Sequence, residues 1–251
     1  MALVISLGVS SFLVLWDVDY TLVDAHGVGR HLYDAAFTQL YGTELPAAAA
    51  AASMAGRTDH AIALDVLELA GVPDPDEQVR AFEAALASLA SGVAGMVADT
   101  AKALPGAHAA LSALAGVPGV VQSVLTGNVR QVAEVKLTPL GLTRHLDLEV
   151  GAYGNEHEVR SELVPLARSR AAAAYAADFG GKATVLVGDT PLDVAAALAT
   201  GARAVGVATG QFAAGELEAA GASAVLADLT GTAEVVAAVL GGRDRYQPRP
   251  A

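Results

Sequence analysis

Short runs of aliphatic and β-branched residues that stop at a polar residue or a glycine recur at residues 12–16, 120–125, 146–150, 184–187 and 204–207. Each reads as a buried strand. Between the later runs, apolar positions recur three and four residues apart, which predicts helices over 129–140, 162–177 and 192–199. Strands and helices alternating at this interval build right-handed crossover units. The expected fold class is therefore α/β, a Rossmann-like parallel sheet with helices on both faces.

The first interval breaks that rhythm, because roughly a hundred residues separate the first strand from the second, where a crossover unit needs about thirty. Helical spacing runs through the gap, as in Leu32, Ala35, Ala36 and Leu40 and again in Ile62, Val66 and Leu69. An alanine-rich stretch covers 47–52, and Val72-Pro73-Asp74-Pro75 is a turn signal. So long and periodic a segment is not a loop. It predicts an inserted all-helical domain over 24–103, leaving 1–23 and 104–240 to the core, with Leu104-Pro105-Gly106 marking the return. Residues 241–251 lack periodicity and are expected to be a disordered tail.

The 251 residues carry 15 basic and 27 acidic side chains, a net charge of −12. That balance argues against phosphate-backbone binding, so nucleic acid is not an expected partner. With no cysteine, disulfides, thiol nucleophiles and cysteine-bound zinc are excluded. An apolar content of 53% with only 5% aromatic residues predicts a finely packed, largely helical core. The first fifteen residues are apolar enough to suggest a signal peptide. They lack its positively charged start, however, and run directly into Trp16-Asp17-Val18-Asp19, so they read as a buried strand behind a loose leader. No other uninterrupted apolar run reaches the ~20 residues that span a bilayer. The expectation is a cytoplasmic protein, monomeric or homodimeric, with no membrane contact.

Three strand ends carry candidate chemistry. The first apolar run meets Asp17 and Asp19, which project to the same side of an extended backbone. Two carboxylates that close repel unless a cation lies between them or one holds a proton. Val187-Gly188-Asp189-Thr190-Pro191-Leu192-Asp193 ends a second strand in an acid, with another in the first turn of a helix. Thr190, Pro191 and Asp193 are explained as helix-start residues, whereas Gly188-Asp189 is not. Thr126-Gly127-Asn128 follows a third strand and supplies a hydroxyl and a glycine amide. Ligands of open α/β sheets bind beyond the carboxyl ends of the strands, so the three motifs are expected to converge there. Carboxylates suit a hard cation such as Mg²⁺, and the hydroxyl and amides suit an anion; the implied ligand is a phosphate bridged through magnesium.

These motifs resemble those of the haloacid dehalogenase-like (HAD) superfamily, in its phosphoglycolate phosphatase-like branch with a helical cap. Asp17-Val18-Asp19-Tyr20-Thr21 is similar to the family's Asp-x-Asp-x-Thr, Val124-Leu125-Thr126-Gly127-Asn128 to its strand-Thr-Gly-Asn, and Gly188-Asp189 through Asp193 to its Gly-Asp-x-x-x-Asp. The resemblance implies a Mg²⁺-dependent phosphatase acting on a small phosphomonoester. Asp17 would be the nucleophile that forms an aspartyl-phosphate and Asp19 the acid/base. Thr126, Gly127 and Asn128 would bind the transferring group, and Mg²⁺ would bind Asp17, the Asp19 carbonyl, Asp189 and, in support, Asp193. The family's third motif is usually a lysine; here Arg160 is the expected cation, with Lys136 the alternative. An arginine would fork to phosphate and carboxylate together. Lys136 otherwise reads as a solvated helix residue.

The resemblance makes the helical insertion a cap, with Met54-Ala55-Gly56-Arg57-Thr58-Asp59-His60 as its substrate-facing loop. Arg57 would meet an acidic group of the substrate; equally, the stretch reads as a turn with Thr58 or Asp59 capping a helix. His26, His31 and His60 lack metal-ligand spacing. Asp19 argues against the dehalogenase branch, and the absence of lysine from 24–101 argues against a Schiff-base phosphonate cleaver. A phosphomutase and a silent phosphate-binding or signalling module are the remaining alternatives.

Overall fold

The first apolar run forms strand β1 (Phe12–Trp16), and in the computed structural model, which describes residues 11–241, this strand lies second in a five-stranded parallel sheet, paired on both sides. In chain order the other strands are β2 (Val23–Asp24), β3 (Lys102–Ala103), β4 (Val120–Val124), β5 (Thr184–Gly188), β6 (Arg203–Val207) and β7 (Ala224–Leu226). The sheet order is β4-β1-β5-β6-β7, while β2 and β3 form a separate antiparallel pair. The leader residues and all of the expected tail beyond Gly241 lie outside the described residues. Gly241 itself ends the last helix, Thr232–Leu240, in a left-handed conformation.

Both faces of the sheet are covered, which is why its strands are apolar rather than alternating. Leu13 and Leu15 pack with the helices Leu163–Tyr175 and Pro191–Ala199 on one side. Val14 and Trp16 pack on the other with Ala107–Ala115 and Thr232–Leu240. The buried Trp16 indole donates to Gln122 Oε1 (3.2 Å), and Gln122 Nε2 donates to the Leu111 carbonyl (2.8 Å), so both polar groups are satisfied in the core.

Register aligns the strand ends. Trp16 pairs with Val124 on one side and Val187 on the other, so Asp17, Leu125 and Gly188 leave the sheet at the same level. The chain passes from β1 to one neighbour and then returns past it to the other. The crevice at the carboxyl end of β1 is thus the topological switch point.

Between β2 and β3 the chain is helical: Val28–Tyr41, Ala47–Ala50, Asp59–Leu69, Pro75–Leu89 and Ala94–Thr100. Register Val23↔Ala103 and Asp24↔Lys102 makes it leave and return at one point. The run Pro75–Thr100 is, by length and composition alone, long and apolar enough to cross a bilayer. Its Val79, Phe82, Leu86 and Val93 instead belong to the buried cluster that also contains Val28, Leu32 and Ile62.

One expectation for the sheet fails, and one of its strands is unexpected. Residues 146–150 form no strand: the stretch runs beside the edge strand β4, tied by Asp147 N–H to the Gln122 carbonyl (2.8 Å), and pairs only through the later bridge Leu125↔Ala152. The actual fifth strand is β7, three residues at the opposite edge and too short to stand out as an apolar run.

Candidate active site

The crevice beyond β1 opens into a chamber of about 710 Å³ between the sheet ends and the helical segment. Asp17, Asp19, Thr126, Gly127, Asn128, Arg160 and Asp189 all line it. Asp193 lies directly behind. One carboxylate oxygen from each of Asp17, Asp189 and Asp193 lies within 4.8 Å of the others, and all three residues are buried.

The local sequence explains how these acids are held. Asp193 closes a capping box: Thr190 Oγ1 accepts from Asp193 N–H (3.2 Å), and Asp193 Oδ2 accepts from Thr190 N–H (3.1 Å), with Pro191 in the first helical turn. The helix-start reading of these residues therefore holds, and the other Asp193 oxygen is still directed to the site. Gly188 also acquires its reason, since a Cβ there would lie 2.3 Å from the Asp193 carboxyl carbon. Likewise a Cβ on Gly210 would fall 1.8 Å from Asp189 Oδ2, so this later loop can close over Asp189 only as glycine.

Arg160 joins the acids. Its Nη2 donates to Asp17 Oδ1 (2.8 Å) and pairs with Asp193 Oδ1 (2.6 Å). Burial opposes the guanidinium charge, but Asp193 and Asp17 outweigh it and leave the arginine more firmly protonated than usual. Burial also pushes the Asp17 carboxyl up to about 7, with Arg160 pulling down and Asp193 and Asp19 pushing further. Asp189 rises to about 8, again by burial first and then by Asp17 and Asp193. Fully ionised, three carboxylates against one guanidinium would leave two negative charges in a buried, oxygen-only donor set, and the raised Asp17 and Asp189 values show that this state is disfavoured until a cation offsets it. That set fits a hard divalent cation such as Mg²⁺.

Lys136 is in the site as well, which corrects its reading as a solvated helix residue. It is 2% exposed, and its Nζ donates to both oxygens of Asp19 (2.8 and 2.7 Å) and to Asn128 Oδ1 (2.8 Å). The helix Arg130–Leu137 starts just past Asn128 and brings its second turn back over that motif. Arg160 thus stands on Asp17 and Lys136 on Asp19, so the two cations considered for one place occupy two.

Asn128 Nδ2 donates to Asp19 Oδ2 (2.7 Å) and to Thr126 Oγ1 (2.8 Å). The Gly127 carbonyl accepts from Asp59 N–H (2.6 Å), while its own N–H makes no hydrogen bond to the described residues. A hydroxyl and a free amide therefore stand beside two acids, the arrangement an anion needs.

Arg57 is placed differently from its expected role. It lines the chamber, but its guanidinium is consumed by Asp65 Oδ2 (2.5 Å) and by the carbonyls of Ser53 and Ala61. Thr58 caps the helix Asp59–Leu69 through Ala61 N–H, so the capping explanation accounts for this stretch. Two cations of the chamber wall keep a buried donor with no hydrogen-bond partner among the described residues: Arg160, at Nε, and Arg30, at Nη1, whose Nη2 donates to the Ala52 carbonyl (3.0 Å). Sequence reading missed Arg30, as it missed Gly210.

Residues 14–198 match the family of haloacid dehalogenase-like hydrolases. Comparison with curated proteins returned no match. Among solved structures, a hydrolase from Pseudomonas syringae shares 21% identity over 89% of this chain and 96% of its own, with a TM-score of 0.63. A predicted phosphatase from Clostridium acetobutylicum shares 18% over 90% and 98%, with a TM-score of 0.66. A predicted phosphoglycolate phosphatase from Haemophilus somnus shares 17% over 91% and 99%, with a TM-score of 0.58. At these identities the structures speak for the fold, and the match over 14–198 establishes that the chain belongs to the haloacid dehalogenase-like hydrolase family.

Proposed function

We propose that the protein is a Mg²⁺-dependent phosphatase that cleaves a small phosphomonoester through an aspartyl-phosphate on Asp17. The carrying observation is the joint presentation of Asp17, held by Arg160, and Asp19, held by Lys136 and Asn128, at one strand end beside the Asp189–Asp193 acids. In this reading residues 24–103 form a cap that closes the chamber.

Asp17 attacks phosphorus, the bond to the ester oxygen breaks, and Asp19 gives that oxygen a proton. In the second half Asp19, now a carboxylate, takes a proton from water as the water oxygen attacks the same phosphorus and the bond to Asp17 breaks. Thr126 Oγ1 and the Gly127 amide bind phosphoryl oxygens, and Arg160 orients the nucleophile. Asp17, the Asp19 carbonyl, Asp189 and Asp193 would hold Mg²⁺, which offsets the repulsion between a carboxylate and an anionic ester. Phosphate release from a generic aryl phosphate is expected to require Mg²⁺, to fall to background with a chelator and to return when the metal is restored. Unchanged release in chelator, or none with metal, would refute the reading.

The chamber size and the spent Arg57 bear on the substrate. Phosphoglycolate and other small acidic esters would be read by Arg30 instead. Arg30→Ala is expected to raise KM about tenfold for esters with a second anionic group, the value of one charge-assisted hydrogen bond, and to leave KM for an aryl phosphate unchanged. A panel of phosphoglycolate, sugar phosphates and nucleotides, assayed on both proteins, checks this.

A further inference from the structure

We propose that Asp59 is a positioning residue for the phosphate-binding turn Thr126-Gly127-Asn128, clamping it from the helical segment. The inference rests on the functional reading above for the turn's role, though the clamp itself can be tested without turnover.

Asp59 grips the turn at two points. Its N–H donates to the Gly127 carbonyl (2.6 Å), and its Oδ2 accepts from Val129 N–H (2.7 Å). Its neighbours bond to the same side: Thr58 Oγ1 donates to the Glu158 carbonyl (2.7 Å) and His60 N–H to the Gly154 carbonyl (3.1 Å). Gly127 and Gly154 permit the approach. A Cβ on the first would lie 1.9 Å from the Arg57 carbonyl oxygen, and one on the second 1.6 Å from the Gly127 oxygen. A glycine-centred turn has much conformational freedom to lose, so something must hold it.

Local sequence supplies only part of that hold: Thr126 Oγ1 accepts from Asn128 N–H (3.2 Å) and Nδ2 (2.8 Å), but nothing local takes the Val129 N–H. Val129, at the start of the helix Arg130–Leu137, has no side-chain acceptor and makes no side-chain cap bond. At Thr190 the equivalent N–H is taken by Asp193 three residues on. At Val129 it is taken by an acid seventy residues away in the chain.

The carboxylate is kept at a cost to stability. Burial pushes Asp59 up to about 6, partly offset by Val129 N–H, the Tyr33 hydroxyl (2.8 Å from Oδ1) and Lys136, with Asp19 working against it. An acid whose folded value is raised stabilises the fold most when protonated, and that contribution is lost as pH rises through about 6. Asparagine would keep the shape without the charge, and so should be the more stable choice at neutral pH. A carboxylate is explained if the stronger, charge-assisted bond to Val129 is what the site needs.

The test compares wild type, Asp59→Asn and Asp59→Ala. Hydrogen exchange of the Val129 amide in the free protein, referenced to amides of β1, is expected to quicken at least tenfold in Asp59→Ala, with Asp59→Asn between. KM for an aryl phosphate with Mg²⁺ should rise about tenfold in Asp59→Ala, with kcat changing far less, as when binding common to ground and transition states is lost. Asp59→Asn should melt above wild type at pH 7.5, the gap closing towards pH 4. Wild-type Val129 exchange in Asp59→Ala would overturn the clamp, and an Asp59→Asn protein that melts lower at pH 7.5 would overturn the stability cost assigned to the charge. Absence of turnover in all three proteins with the exchange shift present would refute the phosphatase reading and leave the clamp standing.

Discussion

Asp17→Asn is expected to lower phosphate release by at least about 10⁴-fold, because removing a covalent nucleophile removes the pathway rather than one stabilising contact. Asparagine keeps the oxygen that accepts from Arg160 Nη2 and nearly the same volume, so the surrounding geometry should survive. Misfolding should not be the cause of the loss. Burial raises Asp17 to about 7, so its charged form opposes folding, and the stability present at low pH declines as pH rises through that value. The neutral variant should therefore melt no lower than wild type at pH 8 without metal. Three measurements check the assignment together: phosphate release, the melting temperature, and intact mass after quenching with a slow ester. The wild type should carry one phosphoryl adduct and the variant none. If the variant turned over at a substantial fraction of the wild-type rate, Asp17 would not be the nucleophile, whatever its contacts.

Much of this site could be read from the sequence because it lies where apolar runs end. The strands before Asp17 and Asp189 are nearly continuous apolar stretches, the one before Thr126 is apolar but for Gln122 and Ser123, and parallel pairing brings the three ends to one edge of the sheet. Where the same pattern was misleading, the cause is specific. Residues 146–150 alternate apolar and acidic residues as a strand would, but Ser123 Oγ and Gln122 tie Asp147 beside β4 before any ladder can form. Lys136 left a readable signal: it shares the buried stripe of Val132, Ala133 and Leu137, and a lone cation on an apolar helix face requires a buried partner. Arg57 and Asp59 left none. Both lie in one polar loop, and nothing local indicates that Asp65 would neutralise the arginine while the aspartate crossed to Val129. Pairings over such separations are set by how the helices seat on the sheet.

Asp19→Asn should separate the two halves of the reaction. An aryl phosphate has a leaving oxygen that needs little protonation, so this variant should still permit phosphorylation of Asp17. Hydrolysis of the phosphoryl-enzyme needs a base for water, and the amide cannot serve. Steady-state turnover is expected to fall by about 10²- to 10⁴-fold, the usual worth of a positioned acid/base, while the phosphorylated protein accumulates to one equivalent. With an alkyl phosphate both halves should slow and no adduct should build up. The structure also predicts a stability cost that the experiment must control. Lys136 is buried and gives Asp19 two of its three hydrogen bonds, so the substitution leaves the ammonium with a weaker partner and Asn128 Oδ1. Because the Asp19 side chain is 35% exposed, water can share that burden, and the loss should be about 1–2 kcal/mol rather than the larger penalty of a fully buried pair. Rapid-quench measurement of the adduct on folded protein, below the variant's own transition, keeps the two effects apart. Wild-type turnover in Asp19→Asn would place the acid/base elsewhere, and a variant that neither forms the adduct nor turns over would show that Asp19 is needed before the nucleophile can act.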